Sequence, residues 1–142
     1  MIIQTKFLGE LEIEDSDIIT FEQGMLGFSH LRQFYFLAVE GNPYLSYMQS
    51  LEDSDICFIT IVPAAVVEEY NIEICSDTVE ALKVKDQKDV ELYAILNIHG
   101  EIENATVNLK APVVINRHNK KAVQELLNDD RYDIKHPLVK ES

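Results

Sequence analysis

The sequence predicts a mainly β protein, a compact antiparallel β-barrel-like single domain over residues 1–142 with short connecting helices. Runs of β-branched and aromatic residues recur at fairly even spacing, which is typical of barrels and also of sandwiches. Turn-forming residues separate these runs, and no repeat, linker or low-complexity tract interrupts them. A chain of 142 residues is also long enough to bury a core without a metal or a disulfide.

The strands predicted in the first half of the chain are bounded by glycine and proline. They comprise residues 1–7, 11–13, 18–21, 34–39, 45–49 and 56–62. Gly9 and the sequences GMLGF and EGNPY supply turns between them, because glycine permits positive φ and proline fixes φ. Pro63 ends the last of these strands, since proline cannot donate to a ladder.

The second half is predicted to mix strands with short helices. Strands are expected at residues 71–75, 90–98, 105–109 and 113–115, and helical turns at 64–70 and 78–82. Asp77 and Glu80 have the spacing of a helix start. HGEIEN is a hairpin connection, and Asn119 is predicted to cap a helix. That helix would carry Ala122, Val123, Leu126 and Leu127 on one side.

The charge balance limits the class of partner. The chain has 12 Lys and Arg against 25 Asp and Glu, a formal net charge of -13. Such a surface repels phosphate backbones and attracts basic proteins, although acidity also serves solubility alone. Four of the cations lie between Asn108 and Lys121 without an acid among them. They are too few to overcome the acidic body, so we expect no direct binding of nucleic acid.

The termini and the cysteines indicate a cytoplasmic protein. Residues 1–14 have neither a basic leader with an apolar core nor a small-residue cleavage site, and no apolar run approaches the ~20 residues of a membrane span. Cys57 and Cys75 are far apart and without CxxC spacing, as expected of buried thiols. We therefore expect no contact with a membrane.

Residues that usually carry catalysis or bind metals are scattered. The four histidines show no HxxxH spacing, and GMLGF lacks the residues of a phosphate loop. The acidic clusters LEDSD and NDDRYD lack the central Gly and terminal Glu of a calcium loop. We predict no enzyme, no cofactor and no metal site, and the alternative is a small enzyme with a deep pocket.

Three segments resemble the FliW family of flagellar assembly factors. NLKAPVVIN at residues 108–116, followed by KKAVQELL, is similar to the C-terminal signature of the family. ITFEQGMLGF at residues 19–28 is similar to its N-terminal motif, and MQSLEDSDICFITIVP at residues 48–63 to its central segment. The segments occur in order along nearly the whole chain. Ser54 stands where the family favours Pro, and a turn-forming Ser leaves the resemblance intact.

The resemblance implies a small β-barrel-like protein that is not an enzyme and has two protein partners. One is flagellin, bound through its C-terminal region in the cytoplasm. The other is CsrA, a small RNA-binding translational repressor, which the protein would bind when free of flagellin and thereby relieve repression of flagellin translation. The alternative is a flagellin export chaperone without a role directed at CsrA.

Two sets of residues are predicted to act on these partners. The predicted contact residues are Asn108, Lys110, Pro112, Asn116, Gln49, Ser50 and Phe28. Pro112 favours an edge position for its segment, where a partner could reach it. The alternative is that residues 113–115 are strand core, with lysines at the rim. The residues predicted to repel RNA through their charge are Glu68, Glu69, Glu73 and Asp77.

Overall fold

The fold was analysed in a computed structural model, which describes residues 1–98 and 100–138. The strands in these ranges are β1 Ile2–Gln4, β2 Glu10–Glu12, β3 Ile19–Phe21, β4 Gln33–Val39, β5 Asn42–Ser50, β6 Cys57–Ile61, β7 Val90–Asn97, β8 Thr106–Asn116, β9 Lys121–Gln124 and β10 His136–Pro137. The helix α1 spans Ser76–Leu82, and four 3₁₀ turns connect strands. His99, in the predicted HGEIEN connection, and residues 139–142 lie outside the described ranges.

Seven strands close into a barrel, as the alternation of apolar runs predicts. Their order is β8, β7, β6, β5, β4, β3 and β9, and β9 pairs again with β8. Neighbours are antiparallel except β3 and β9, which run parallel with Thr20 opposite Lys121. β10 extends the sheet beside Val107 of β8. The hairpin of β1 and β2 forms a separate sheet with Ile3 opposite Leu11.

The barrel interior holds the first of two cores. Phe21, Phe34, Met48 and Val113 are fully buried in it. The rings of Phe21 and Phe34 meet edge to face at 5.3 Å between centroids, an arrangement that aromatic pairs favour. Full burial of each such side chain stabilises the fold by about 1.5–3 kcal/mol.

The second core is formed by other residues of β6, β7 and β8, which do not belong to the first core. Leu96, Val107 and Leu109 are its buried centre. Two irregular segments, residues 66–72 and 127–138, contribute the apolar side chains packed there. Tyr70 and Tyr132, one from each segment, have ring centroids 4.7 Å apart. The segments outside the regular strands are therefore held against the barrel by apolar burial.

The helix predicted after Asn119 is wrong, because these residues form the strand β9. A turn with Lys120 at φ 59° leads from β8 into β9, which is paired on both sides. Ala122 and Leu127 are buried, whereas Leu126 is 62% exposed. The apolar residues therefore do not lie on one side of a helix. The segment fills the gap between β3 and β8, and that tertiary pairing overrides its helical propensity.

Three smaller expectations also need correction. Residues 71–75 belong to no strand, and of the helical turn predicted at 64–70 only the beginning is helical, in the 3₁₀ turn Pro63–Ala65, whereas the turn predicted at 78–82 is part of α1. Helix α1 begins two residues earlier than the Asp77 and Glu80 spacing predicts, with Cys75 as its N-cap and no side-chain cap. Asp77 lies in its first turn, where a carboxylate favours the helix dipole. Within the described ranges, no helix is long and apolar enough to cross a membrane.

The glycine turn GMLGF is confirmed, and Gly24 shows why it needs glycine. Its φ is +73°, and a Cβ there would lie 2.3 Å from the carbonyl oxygen of Ser29. Both the conformation and the space exclude a side chain. The turn brings the N–H of Phe28 to the carbonyl of Met25 at 2.8 Å, and it leaves Leu26 and Phe28 exposed.

Candidate functional site

The segment NLKAP forms a wide bulge in the middle of β8. The register moves from Tyr93 opposite Val113 to Ile95 opposite Asn108, so that Ala94 alone faces four residues of β8. Pro112 lies in this bulge, fully buried, in a strand that has neighbours on both sides. The predicted edge position of Pro112 is therefore wrong. A bulge is the other place where a sheet accepts a residue without an N–H group.

Asn108 and Lys110 shape and border this bulge. The Asn108 side-chain oxygen accepts the N–H groups of Lys110 at 3.2 Å and Ala111 at 3.0 Å. The carbonyl of Lys110 accepts the N–H of Leu127 at 2.7 Å. The Lys110 ammonium lies 3.7 Å from the exposed carboxylate of Asp130. Asn108 thus has a local structural role, while Lys110 is partly accessible.

Asn116 is an interior residue rather than a surface contact. It is 3% exposed, and its side-chain amide donates to the carbonyl of Leu82 at 2.8 Å. Its oxygen accepts the N–H of His118 at 3.0 Å. Because Leu82 is the last residue of α1, Asn116 satisfies a carbonyl that the helix end leaves unpaired. Asn116 therefore fixes α1 to the barrel.

Gln49 and Ser50 are also fully buried. The Gln49 side chain accepts the N–H of Lys6 at 2.9 Å and donates to the carbonyl of Ser54 at 3.1 Å. It thereby joins the N-terminal hairpin to the turn after β5. The Ser50 hydroxyl accepts the N–H of Asp53 at 3.1 Å. These bonds use the polar groups internally, so a direct contact of Gln49 or Ser50 with a partner does not fit this structure.

The four predicted acidic residues lie within ten positions of the chain, at 68–77, and are together called the acidic strip here. Glu68, Glu69, Glu73 and Asp77 are all exposed, and none takes part in an ion pair within the described part of the chain. The sequence from 33 to 82 contains no Lys, Arg or His at all. Their negative charge is therefore not neutralised by neighbours in sequence, and it acts on approaching molecules.

An open cleft of about 630 Å³ lies beside the acidic strip, here called the apolar cleft. Residues 70–74, helix α1 and residues 84–92 form its walls. The apolar side chains that line it are Ile72, Ile74, Val79, Val84, Val90 and Leu92. Glu73, Lys85 and Asp86 add charge at the same cleft. Polar residues form the other half of the lining, so the cleft is amphipathic, and a concave surface of apolar and polar groups can serve as a binding site.

The wall formed by residues 71–75 is held at both ends by side chains. Tyr132 accepts the N–H of Asn71 through its hydroxyl oxygen at 3.0 Å, and Arg131 donates to the Asn71 carbonyl at 2.9 Å. At the other end, the Glu125 carboxylate accepts the N–H of Cys75 at 3.1 Å. Each anchor lies in the segment that follows β9. The C-terminal part of the chain thus positions the wall of the apolar cleft.

Two anchoring groups next to this wall have shifted pKa values. Burial, aided by Tyr132, raises the pKa of Tyr70 well above its ordinary value, so its hydroxyl stays a donor, 2.6 Å from the carbonyl of Leu109. Hydrogen bonds from Arg131 lower the pKa of the Asp129 carboxyl. The carboxylate of Asp129 therefore remains charged and holds Arg131 near Asn71 over most of the pH range.

Comparison with known proteins identifies the family. The model of the FliW protein family matches residues 2–138. The chain belongs to the FliW family. The flagellar assembly factor FliW of Clostridium novyi is 38% identical over 141 residues, covering 99% of both chains. The protein of the same name from Bacillus pumilus is 40% identical over 139 residues, covering 97% of this chain and 96% of the relative.

A solved structure shares the fold over the same length. The crystal structure of a flagellar assembly factor FliW superimposes with a TM-score of 0.93 at 35% identity, covering 99% of each chain. The β-barrel predicted from the sequence is therefore the fold of the FliW family. The relatives are named as assembly factors and not as enzymes.

In this FliW family member, the predicted contact residues do not form one surface. Asn108, Lys110, Pro112 and Asn116 follow β8 through the bulge, whereas Gln49 and Ser50 lie at the end of β5. Phe28 is 37% exposed, and its ring packs edge to face on Phe58 at 5.5 Å. Of the seven, Phe28, Asn108 and Lys110 remain at least partly exposed and could be touched by a partner.

Sequence reasoning missed the apolar lining of the cleft. The alternation in NIEIC, with Ile72 and Ile74 two positions apart, predicts a strand. An extended chain produces the same period whether or not it joins a ladder. Residues 71–75 alone do not indicate a cleft. The cleft also depends on where β6 stops pairing with β7, which a single sequence does not reveal.

Proposed function

We propose that this chain acts in flagellar assembly as a protein-binding regulator in the cytoplasm. It binds flagellin through the C-terminal region of flagellin. When free of flagellin, it binds the translational repressor CsrA and relieves repression of flagellin translation. The observation that carries the proposal is the match to the FliW family over residues 2–138, with relatives named flagellar assembly factors.

The charge distribution supports the action on CsrA. A protein that binds RNA carries cations that neutralise phosphates. The acidic strip would attract such a protein, and once bound, it would repel the phosphates of the RNA. The protein and the RNA need not share one site on CsrA. Release of RNA requires only that binding of the protein disfavours binding of RNA.

The test is a titration of the protein into a complex of CsrA with flagellin leader RNA, with and without flagellin. The proposal expects RNA release, and it expects flagellin to prevent that release. RNA that stays bound, while flagellin still binds the protein, would instead describe an export chaperone without a role directed at CsrA. Absence of binding to either protein would contradict the proposal altogether.

Reversing the charge of the acidic strip tests the electrostatic part. The variant carries Glu68→Lys, Glu69→Lys, Glu73→Lys and Asp77→Lys. A matched control carries Glu12→Lys, Glu14→Lys, Asp15→Lys and Asp17→Lys, which are also exposed. Both variants have the same net charge, about -5, since each reversal adds two positive charges.

We expect the strip variant to need at least about tenfold more protein to release half of the RNA, while the control needs little more than the parent protein. An equal loss in both variants would assign the effect to total charge and not to the strip. Retention of full activity in the strip variant would contradict the electrostatic part of the proposal.

A second variant tests the accessible contact residues. We expect Lys110→Glu to weaken binding of a partner if the bulge region lies in an interface, because the substitution places a carboxylate beside Asp130. Lys135→Glu, a reversal of another exposed cation, is the control. Unchanged affinity of Lys110→Glu for both flagellin and CsrA would remove the bulge region from the interface.

A further inference from the structure

The backbone of residues 72–74 has unused hydrogen-bonding groups at the apolar cleft. Within the described residues, the N–H and C=O groups of Ile72, Glu73 and Ile74 make no hydrogen bond to protein. The neighbours on both sides, Asn71 and Cys75, are anchored by side chains. The segment is therefore fixed at both ends, while its centre presents unpaired donors and acceptors, as an edge strand does.

Strand β7 borders the same cleft and lacks a neighbour over part of its length. β6 pairs with β7 only from Ala94 to Leu96. Among the described residues, no strand pairs with residues 90–93 on that side. Val90 and Leu92 from this stretch line the cleft. The unpaired side of β7 and the unpaired backbone of residues 72–74 thus border the same cleft.

The side chains in these walls alternate in a way that suits an extended ligand. Ile72 and Ile74 lie two positions apart, as do Val90 and Leu92. Alternate side chains of a bound strand point to the same face, with a spacing that matches this arrangement. A helix has already satisfied its own backbone groups, so it would leave those of residues 72–74 unused.

The charge around the cleft selects the ligand further. Glu73 lies in the cleft wall, and Glu68 and Glu69 precede it in the acidic strip. Lys85 is adjacent in sequence to Asp86 at the opposite wall, so their charges largely offset each other. The net field on the side of residues 68–73 is negative, and it favours a ligand with positive side chains.

We propose that the apolar cleft binds an extended segment of a protein partner that alternates apolar and basic residues. The segment adds as a strand to residues 72–74, its apolar side chains enter the cleft, and its basic side chains face the acidic strip. This is strand addition to an exposed edge, in which backbone bonds give affinity and alternate side chains give specificity. The inference rests on the proposed function as a protein-binding regulator and specifies the surface and the ligand chemistry.

The probe is a seven-residue peptide of alternating lysine and valine with capped ends. Binding is followed by NMR on the full chain, through amide shifts and through hydrogen exchange of residues 72–74. We expect saturable binding and at least about tenfold slower exchange at these amides, because exchange requires the new hydrogen bonds to open. Binding without slower exchange at residues 72–74, or no binding at millimolar peptide, would overturn the proposal.

Three control peptides separate backbone pairing from charge. One is N-methylated at every residue, one has glutamate in place of lysine, and one has the same composition rearranged to helical spacing. We expect each to bind at least about tenfold more weakly, since N-methylation removes the donors and the others remove charge or alternation. Equal binding of the N-methylated peptide would exclude strand addition.

A variant of the protein connects the cleft to its partners. Glu73→Lys should weaken the lysine peptide at least about tenfold, and Glu40→Lys, which makes the same change at another exposed site in the cation-free tract, should not. If Glu73→Lys binds flagellin and CsrA normally, and the peptide does not compete with either protein, the cleft inference fails while the proposed function stands. Should the peptide bind as described while neither protein binds, the proposed function fails instead.

Discussion

The barrel and the wall of the apolar cleft are held together by different means. The seven barrel strands are joined by continuous backbone ladders around an interior of fully buried side chains such as Phe34. Residues 71–75 are held by three side chains, Tyr132, Arg131 and Glu125. The ladders pair most backbone groups of the barrel strands, whereas the side-chain anchors leave the centre of the wall unpaired. Stability therefore resides in the barrel, and the binding surface proposed above lies where the pairing is incomplete.

Truncation of the barrel core should have the largest effect. Phe34→Ala removes a fully buried ring that contacts Phe21, and it should lower the free energy of unfolding by about 3–5 kcal/mol. Urea unfolding followed by circular dichroism measures it. Tyr44→Ala, at a 55% exposed side chain, is the control. A loss below about 1 kcal/mol for Phe34→Ala would mean that the interior repacks.

Loss of the Asn116 bridge should have an intermediate effect. Asn116→Ala removes the donor to Leu82 and the acceptor for His118, and the buried groups left unpaired should cost about 1–3 kcal/mol. Asn119→Ala, whose exposed side chain also donates to Leu82 at 2.9 Å, should cost less. Exchange of the α1 amides should accelerate in Asn116→Ala. An equal loss of unfolding free energy in both variants would show that the burial of Asn116 does not determine how much its side chain stabilises the fold.

Loss of one anchor should affect the cleft wall and spare the barrel. Tyr132→Phe removes the hydroxyl that accepts from and donates to Asn71, which should cost about 0.5–1.5 kcal/mol. Amide exchange at Asn71, whose N–H the hydroxyl accepts, should rise, while exchange in β4 and β5 stays unchanged. Tyr35→Phe, in the barrel strand β4, is the matched control. Faster exchange throughout the barrel in Tyr132→Phe would contradict the separation of the two regions.

Acid should loosen the cleft wall through Asp129, with the smallest effect of the four. The pKa of Asp129 is lowered by its hydrogen bonds to Arg131, so the stabilisation is complete above the ordinary Asp pKa of about 3.9. It is lost as pH falls through the lowered pKa. The protection of the Asn71 amide, measured relative to the intrinsic exchange rate at the same pH, should therefore fall below about pH 4, and Asp129→Asn should show the lower protection already at pH 6. An Asp129→Asn profile identical to the parent would exclude this role.

Much of the barrel was predictable because its strands carry local signals. Residues 34–39 and 90–98 alternate or concentrate apolar residues between turns, and they form β4 and β7. The strand β9 was missed because AVQELL also suits a helix, and only pairing with β3 and β8 decides its state. Local propensity cannot include a partner that lies about 100 positions away.

The candidate site was predictable only in part. Exposure of the acidic strip follows from composition, since a cation-free tract with many carboxylates must lie at the surface. Gln49, Ser50 and Asn116 belong to family motifs, and a motif does not show whether a residue contacts a partner or stabilises the fold. Their polar side chains are satisfied in the interior, which only the tertiary structure reveals. The apolar cleft depends on where β6 stops pairing with β7, and no residue type marks that point.

The parallel pairing of β3 with β9 determines when this protein can finish folding. Thr20 must meet Lys121, so the ring of strands stays open until the chain has been synthesised to that point. Closing a loop of about 100 residues costs conformational entropy before any contact compensates for it, and such pairings slow folding. During synthesis, β3 and β8 therefore keep unpaired edges until β9 emerges from the ribosome. Until then, the nascent chain is prone to aggregation.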